Sequence, residues 1–248
     1  MRARRWEHAH GDPQMTSALV SEESARIAAA SARILLEIKA IHFSVDPPYI
    51  FTSGWASPVY TDMRKAIAFP RARRALVGFA REIIESAIGC ESLDVIAGGE
   101  TAGIPYAAWL ADSMMLPMQY VRKKPKGFGR NARIEGEVRE GARALLVEDL
   151  ATDGRSKLAF VEALRASGQR CEHALVFFFY DIFPQARADL AQIGVTLHAL
   201  TTWRDVLKVA KESNAFAPDV LAEVEKFLDA PAAWSAAHGG ISSFKPAG

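Results

Sequence analysis

The sequence predicts an α/β fold: a mostly parallel sheet flanked by helices, with a small N-terminal hood. Three observations predict it. Short apolar runs of strand length alternate with helical patterns from Leu93 onward. Several of the helical patterns open on proline or close on glycine. The chain has 248 residues, half of them hydrophobic, enough for one substantial core. Strands alternating with helices form right-handed βαβ units, and such sheets carry their sites in loops after the strand C-termini.

The elements follow in order. Residues 1–20 read as a flexible extension, within which Met15 offers a second possible start. From Ser21 the spacing of Ile27, Ile34, Leu35, Ile38 and Ile41 predicts a helix, with Glu22 and Glu23 in its first turn. The segment DPPYIFTSGWASPVYTDMRK holds three prolines and several β-formers, which predicts short strands in an irregular hood over about 21–69. A core over about 70–229 follows. Pro70 opens a helix that Gly89 closes. Strands are expected at Leu93–Ala97, Met118–Val121, Ala144–Val147, Ala174–Tyr180 and Thr196–Leu200. Helices are expected at Gly103–Met115, Ser156–Ser167, Pro184–Ile193, Trp203–Lys211 and Pro218–Leu228. Residues 122–139 read as a charged loop, and the small, polar tail 230–248 as poorly ordered.

Composition excludes some classes of function. Lys plus Arg number 30 against 29 for Asp plus Glu, so no general charge draws the chain to nucleic acid or to a membrane surface. The longest apolar run, Ala174–Tyr180, is far too short to span a bilayer, and no apolar stretch follows the basic N-terminus as a secretory signal requires. Cys90 and Cys171 lie far apart, outside any metal spacing, and read as free thiols in a reducing cytoplasm. Neither His42 nor His173 nor any other histidine falls into zinc spacing, and no nucleophilic triad or Walker A loop is present.

Four stretches carry candidate chemistry. In ALLVEDLATDGRSK an apolar strand delivers Glu148 and Asp149 to a loop holding Thr152, Gly154 and Ser156, from which a helix starts. Backbone N–H groups at a helix start bind phosphate well, while two carboxylates beside them suit sugar hydroxyls. A solvated acidic turn is the plainer reading of the pair alone; the attached loop favours a sugar phosphate. The run YVRKKPKGFGRNARIEG puts six basic residues and no acid between Arg122 and Arg133, as in a mobile cationic lid over a polyanion. In DVIAGGETAGIPYAAWLAD a strand reaches Gly98-Gly99 before a helix near Gly103, which suits close backbone approach to an anion or simply a tight turn. In FTSGWASPVYTDMRK, Gly54 and Pro58 are turn chemistry, or the backbone around Val59 and Tyr60 cradles a flat ring.

These four stretches, in this order, resemble the type I phosphoribosyltransferases, and among them the orotate phosphoribosyltransferases. The resemblance rests on ALLVEDLATDGRS, on Ser53-Gly54-Trp55-Ala56-Ser57-Pro58-Val59-Tyr60, on Ala102-Gly103-Ile104-Pro105-Tyr106-Ala107, and on Tyr120, Arg122, Lys123 and Lys126. It implies transfer of a ribose 5-phosphate group from phosphoribosyl pyrophosphate to orotate, a step of pyrimidine (UMP) biosynthesis. It further implies Mg2+ bound mainly through the substrate, with no direct metal ligands, and a homodimer whose lid reaches the neighbouring site. By the same resemblance, Glu148 and Asp149 contact the ribose, and Thr152, Gly154 and Ser156 hold the 5-phosphate. Gly98, Gly99 and Glu100 line the pyrophosphate; Arg122, Lys123 and Lys126 close over it, with Asp149, Lys123 and Lys126 carrying the catalysis. Thr52, Val59 and Tyr60 face the base.

The chain also departs from the family pattern. Thr52 stands where many relatives have lysine, Phe128 where the lid often has histidine, and Ile182 where an arginine often binds the orotate carboxylate. Arg64 or Arg187 are the replacements within reach of the reading. Asp153 and Arg155 are unusual in a phosphate loop. The alternatives that these departures favour are a phosphoribosyltransferase for another base, or a non-catalytic sensor of phosphoribosyl pyrophosphate.

Overall fold

The computed structural model describes residues 13–127, 133–152, 154–183 and 185–243, with the side chains of 13–20 and of Arg155 outside the description. The chain opens with helix α1 (Pro13–Glu37). This helix starts ahead of Ser21, so residues 13–20, expected as a flexible extension, are helical. Pro13 suits a first helical turn, and Gln14, Met15, Ala18 and Leu19 are good helix formers that carry the pattern back to it.

The hood follows as short strands: β1 (Ile41–Phe43), β2 (Tyr49–Ile50), β3 (Ala56–Ser57) and β4 (Val59–Thr61). β1 pairs antiparallel with β4, and β2 with β3. A 3-10 helix, Met63–Ala68, leads into α2 (Pro70–Ala87), which ends before Gly89 at φ +109°. The core then alternates: β5 (Val95–Gly99), α3 (Gly103–Met114), β6 (Met118–Val121), β7 (Ile134–Glu135), β8 (Arg143–Ala151), α4 (Arg155–Ala166), β9 (Arg170–Phe179), α5 (Gln185–Gln192) and β10 (Thr196–Ala199). Helices α6 (Trp203–Ser213), α7 (Pro218–Asp229) and α8 (Pro231–Ala237) close the chain.

The six-stranded sheet runs in the order β10-β9-β8-β5-β6-β7, parallel except for β7 against β6. One core lies on the face covered by α2, α3, α6 and α7, among Leu145, Val147, Leu175, Phe177 and Trp203. The other lies under α4 and α5, among Leu146, Phe160, Val161, Val176 and Leu190. Chain order reverses between β5 and β8. The loop after β5 leads to α3 on one face, and the loop after β8 leads to α4 on the other. A crevice opens at such a switch point, beyond the strand C-termini.

Three further expectations change. β7 lies inside residues 122–139, so that stretch is a hairpin excursion between β6 and β7 rather than a plain loop; Arg122 N–H donates to Arg133 O at 2.7 Å and extends the pairing. β8 runs past Val147 to Ala151, so the two acids sit within the strand, where their charge had hidden the continuation. The tail is not loose where it is described: Pro231 suits the first turn of α8, and Trp234 is buried against Phe227.

Candidate active site

Register explains the glycines. Gly98 pairs with Val147 across β5 and β8, which sets Gly99 beside Glu148. A Cβ on Gly99 would stand 2.4 Å from Glu148 Oε1, and one on Gly103 would stand 2.5 Å from Val147 O. A side chain at Gly103 would collide with the β8 backbone, and one at Gly99 would displace the Glu148 carboxylate, so β5 and α3 close on β8 through glycine.

Glu148 and Asp149 are buried, as is Lys157 from the first turn of α4. Lys157 Nζ reaches Glu148 Oε2 at 2.9 Å, and it also donates to Leu150 O and to Ser156 Oγ. Burial pushes the Glu148 carboxyl above its ordinary range, and Lys157 pulls partly back. Asp149 is likewise raised by burial, opposed by backbone N–H groups, Lys157 and Arg64.

These residues form the floor of a cleft of about 900 Å³. One wall is the hood, through Ile50, Phe51, Thr52, Tyr60, Asp62 and Arg64. The other comprises Glu100 and Thr101 after β5, Lys123 after β6, and Thr152 and Ser156 around the start of α4. Gly154 caps α4 at φ +76°, where a side chain would be strained. Lys123 N–H donates to Glu100 Oε2 at 2.7 Å, so the root of the lid is tied to the loop after β5.

Most of the expected residues meet here. Glu148, Asp149, Thr152, Ser156, Glu100, Lys123, Thr52 and Tyr60 line the cleft, and Gly98, Gly99 and Gly154 shape the backbone behind it. Val59 differs: its side chain is fully buried in the core, because β4 alternates and turns only Tyr60 outward. Arg122 and Lys126 also stand aside, facing Glu135 on β7 at 3.2 and 4.0 Å. Of the two replacement cations, Arg64 lines the cleft, whereas Arg187 pairs with Asp181 elsewhere, and Ile182 also lies outside it. Phe128 and Asp153 lie outside the described residues, as does the Arg155 side chain. His173 stands 3.2 Å from His198, Cys90 is exposed and Cys171 is buried.

Sequence reasoning had missed Lys157, Phe160, Tyr180 and Asp62 among the lining residues. One of them left a signal. Lys157 shares the buried face of α4 with Phe160, Val161 and Leu164, and a lysine on an apolar face implies a buried acid opposite. Asp62 lies two residues beyond Tyr60 in a stretch already singled out, and Tyr180 ends a predicted strand, but neither side chain by itself pointed to the cleft.

A comparison with protein-family models gives no match. Among curated proteins, the chain is 55% identical over 221 residues to an orotate phosphoribosyltransferase of Sinorhizobium medicae, covering 89% of this chain and 95% of that protein. It is 54% identical over 212 residues to the orotate phosphoribosyltransferase of Sinorhizobium fredii, covering 86% and 91%. The solved orotate phosphoribosyltransferase of Aeropyrum pernix superposes with a TM-score of 0.63 at 27% identity, over 75% of this chain and 99% of that one. Identity at this level over nearly the whole length, joined to a matching fold, means that the chain belongs to the orotate phosphoribosyltransferase family.

Proposed function

We propose that the protein transfers the ribose 5-phosphate group of phosphoribosyl pyrophosphate to a ring nitrogen of orotate. The products are orotidine 5-phosphate and pyrophosphate, in the route to UMP, and the setting is the cytoplasm. The observation that carries this reading is the convergence on one cleft of the Glu148–Asp149 floor, the Thr152–Ser156 helix start, the lid residue Lys123 and the hood residues Thr52 and Tyr60.

Each wall has a part. The amides from Thr152 to Ser156, at the positive end of α4, hold the 5-phosphate. Asp149 orients the ribose hydroxyls, and Glu148, already paired with Lys157, holds the floor in shape. Lys123 stands where the leaving pyrophosphate would gather charge, and Arg122 and Lys126 join it when the lid closes. The base lies against Tyr60 and Thr52, with Arg64 as the cation for its carboxylate. In the reaction the bond from ribose C1 to the pyrophosphate oxygen breaks, with its electrons leaving on that oxygen. The base nitrogen supplies the pair for the new bond and releases its proton. Positioning and electrostatics carry such a step without a protein nucleophile.

The donor set suits magnesium brought in by the substrate. Among the described residues no three His, Cys, Asp or Glu side chains converge as a metal cage. Mg2+ is commonly held by phosphate oxygens and one or two carboxylates, and Asp149 and Glu100 are the acids placed to assist. When bound, the ion supplies positive charge to the departing oxygens. The protein acts as a homodimer in which the lid of one subunit reaches its neighbour's cleft.

The test is an assay with phosphoribosyl pyrophosphate, Mg2+ and a panel of bases. Orotate consumption is expected. Turnover of another base alone would replace orotate as acceptor, and binding without turnover of any base would make the protein a sensor.

A further inference from the structure

Among the described residues, the C-terminal segment meets the hood at the β2–β3 turn and makes specific contacts there. Ser235, in the last turn of α8, is fully buried. Its Oγ accepts a hydrogen bond from Ala56 N–H at 3.0 Å and donates one to Ile241 O at 2.7 Å. Gly240 N–H donates back to Ser235 O at 2.8 Å, and Ile241 N–H donates to Gly54 O at 3.0 Å. A Cβ on Gly240 would stand 2.3 Å from both Ala56 N and Ser235 Oγ, so only glycine fits. The Ile241 side chain packs over Gly54, where φ is +93°. Behind these contacts, Trp234 Nε1 donates to Glu223 Oε2 and its ring packs on Phe227, fixing α8 to α7.

What this clasp holds is the β2–β3 turn. Phe51 N–H donates to Trp55 O and Gly54 N–H to Phe51 O, so the turn is one closed unit. Its outer edge, Gly54 and Ala56, bonds to the tail; its inner edge, Ile50, Phe51 and Thr52, forms the rim of the cleft. β2 and β3 are only two residues each, too short to hold such a turn alone.

We propose that the clasp of Ser235, Gly240 and Ile241 is a positioning device for the acceptor base. It fixes the Ile50–Thr52 rim from outside and so sets affinity for the base without touching it. This rests on the assignment of Thr52 and Tyr60 to the base end of the cleft. The phosphoribosyl end hangs on β5, β8 and α4 and is independent of the tail.

The experiment compares the full-length wild type with Ser235→Ala and Gly240→Ala. The KM for orotate and for phosphoribosyl pyrophosphate, kcat and Tm are measured. Each variant is expected to raise the KM for orotate roughly ten-fold, the effect of about one lost buried hydrogen bond, with the KM for phosphoribosyl pyrophosphate within about two-fold of wild type. If one variant fails to fold, the other carries the comparison. An unchanged orotate KM overturns the proposal, and so does an equal rise in both KM values alongside a fallen Tm, since that describes a merely structural tail. A wild type that turns over another base but not orotate refutes the assigned acceptor, and the same KM comparison is then read with that base.

Discussion

Lys157 Nζ stands 2.9 Å from Glu148 Oε2, with both side chains almost wholly buried between β8 and α4. The pair divides the labour of the two acids. Lys157 pairs with Glu148, whereas Asp149 lines the cleft with backbone donors around it and feels Lys157 and Arg64 only through space.

Removing one partner of a buried pair leaves a charge stranded, at a cost of about 3–5 kcal/mol. Lys157→Met should therefore lower Tm by on the order of 10 °C. Adding Glu148→Gln should restore most of that loss without restoring activity. Equal Tm values for wild type and Lys157→Met would show that the pair does not stabilise the fold.

Asp149→Asn should behave in the opposite way. Burial already raises the Asp149 carboxyl, so its charge works against folding at neutral pH, and the amide should leave Tm unchanged or slightly higher. Turnover should fall roughly 10²–10³-fold, the usual effect of deleting one preorganised polar group from a site. Near-normal kcat would remove Asp149 from ribose binding.

How much of this was legible beforehand differs from residue to residue. The alternation of apolar runs and helices was enough for the sheet and for most of its strands, because parallel strands are buried on both faces and read as uninterrupted apolar runs. That signal failed in β8, where Glu148 and Asp149 look like the end of a strand that continues to Ala151. Glu148 is buried against Lys157, whose place on the apolar face of α4 signals a buried acid without naming which one. The acid pair, the helix start and the lid root were readable because local sequence builds them. The hood side was readable only in part: β4 alternation decides between Val59 and Tyr60, and the tail that braces the hood lies about 180 residues away in the chain. Small polar residues such as Ser235 and Gly240 read as disorder until a partner surface is known.

The lid root gives a prediction about rate. Lys123 lines the cleft and its backbone is fixed to Glu100, whereas Lys126 faces Glu135 and is largely exposed. Lys123→Ala should lower kcat/KM by roughly 10²-fold with little change in Tm, since it removes charge from the leaving group and no packing. An unchanged kcat/KM would take Lys123 out of the mechanism.

The last prediction concerns acid stability, away from the cleft. His198 Nε2 lies 3.2 Å from His173 Nδ1, with Arg187 nearby. Burial, then these two neighbours, hold His198 down at about 4 from its ordinary 6.5. The unfolded chain takes up this proton near pH 6.5 and the folded chain only near 4. Between those values the unfolded state binds more protons, so the contribution is fully present above about pH 6.5 and is lost as pH falls towards 4. The loss should be on the order of 2 kcal/mol, since partial exposure screens the pair. Tm measured from pH 7 down to 4 should fall less steeply in His198→Gln than in wild type. The carboxylates titrate alike in both proteins, so the difference in slope isolates the histidine. Parallel curves would mean that His198 is not held neutral in the fold.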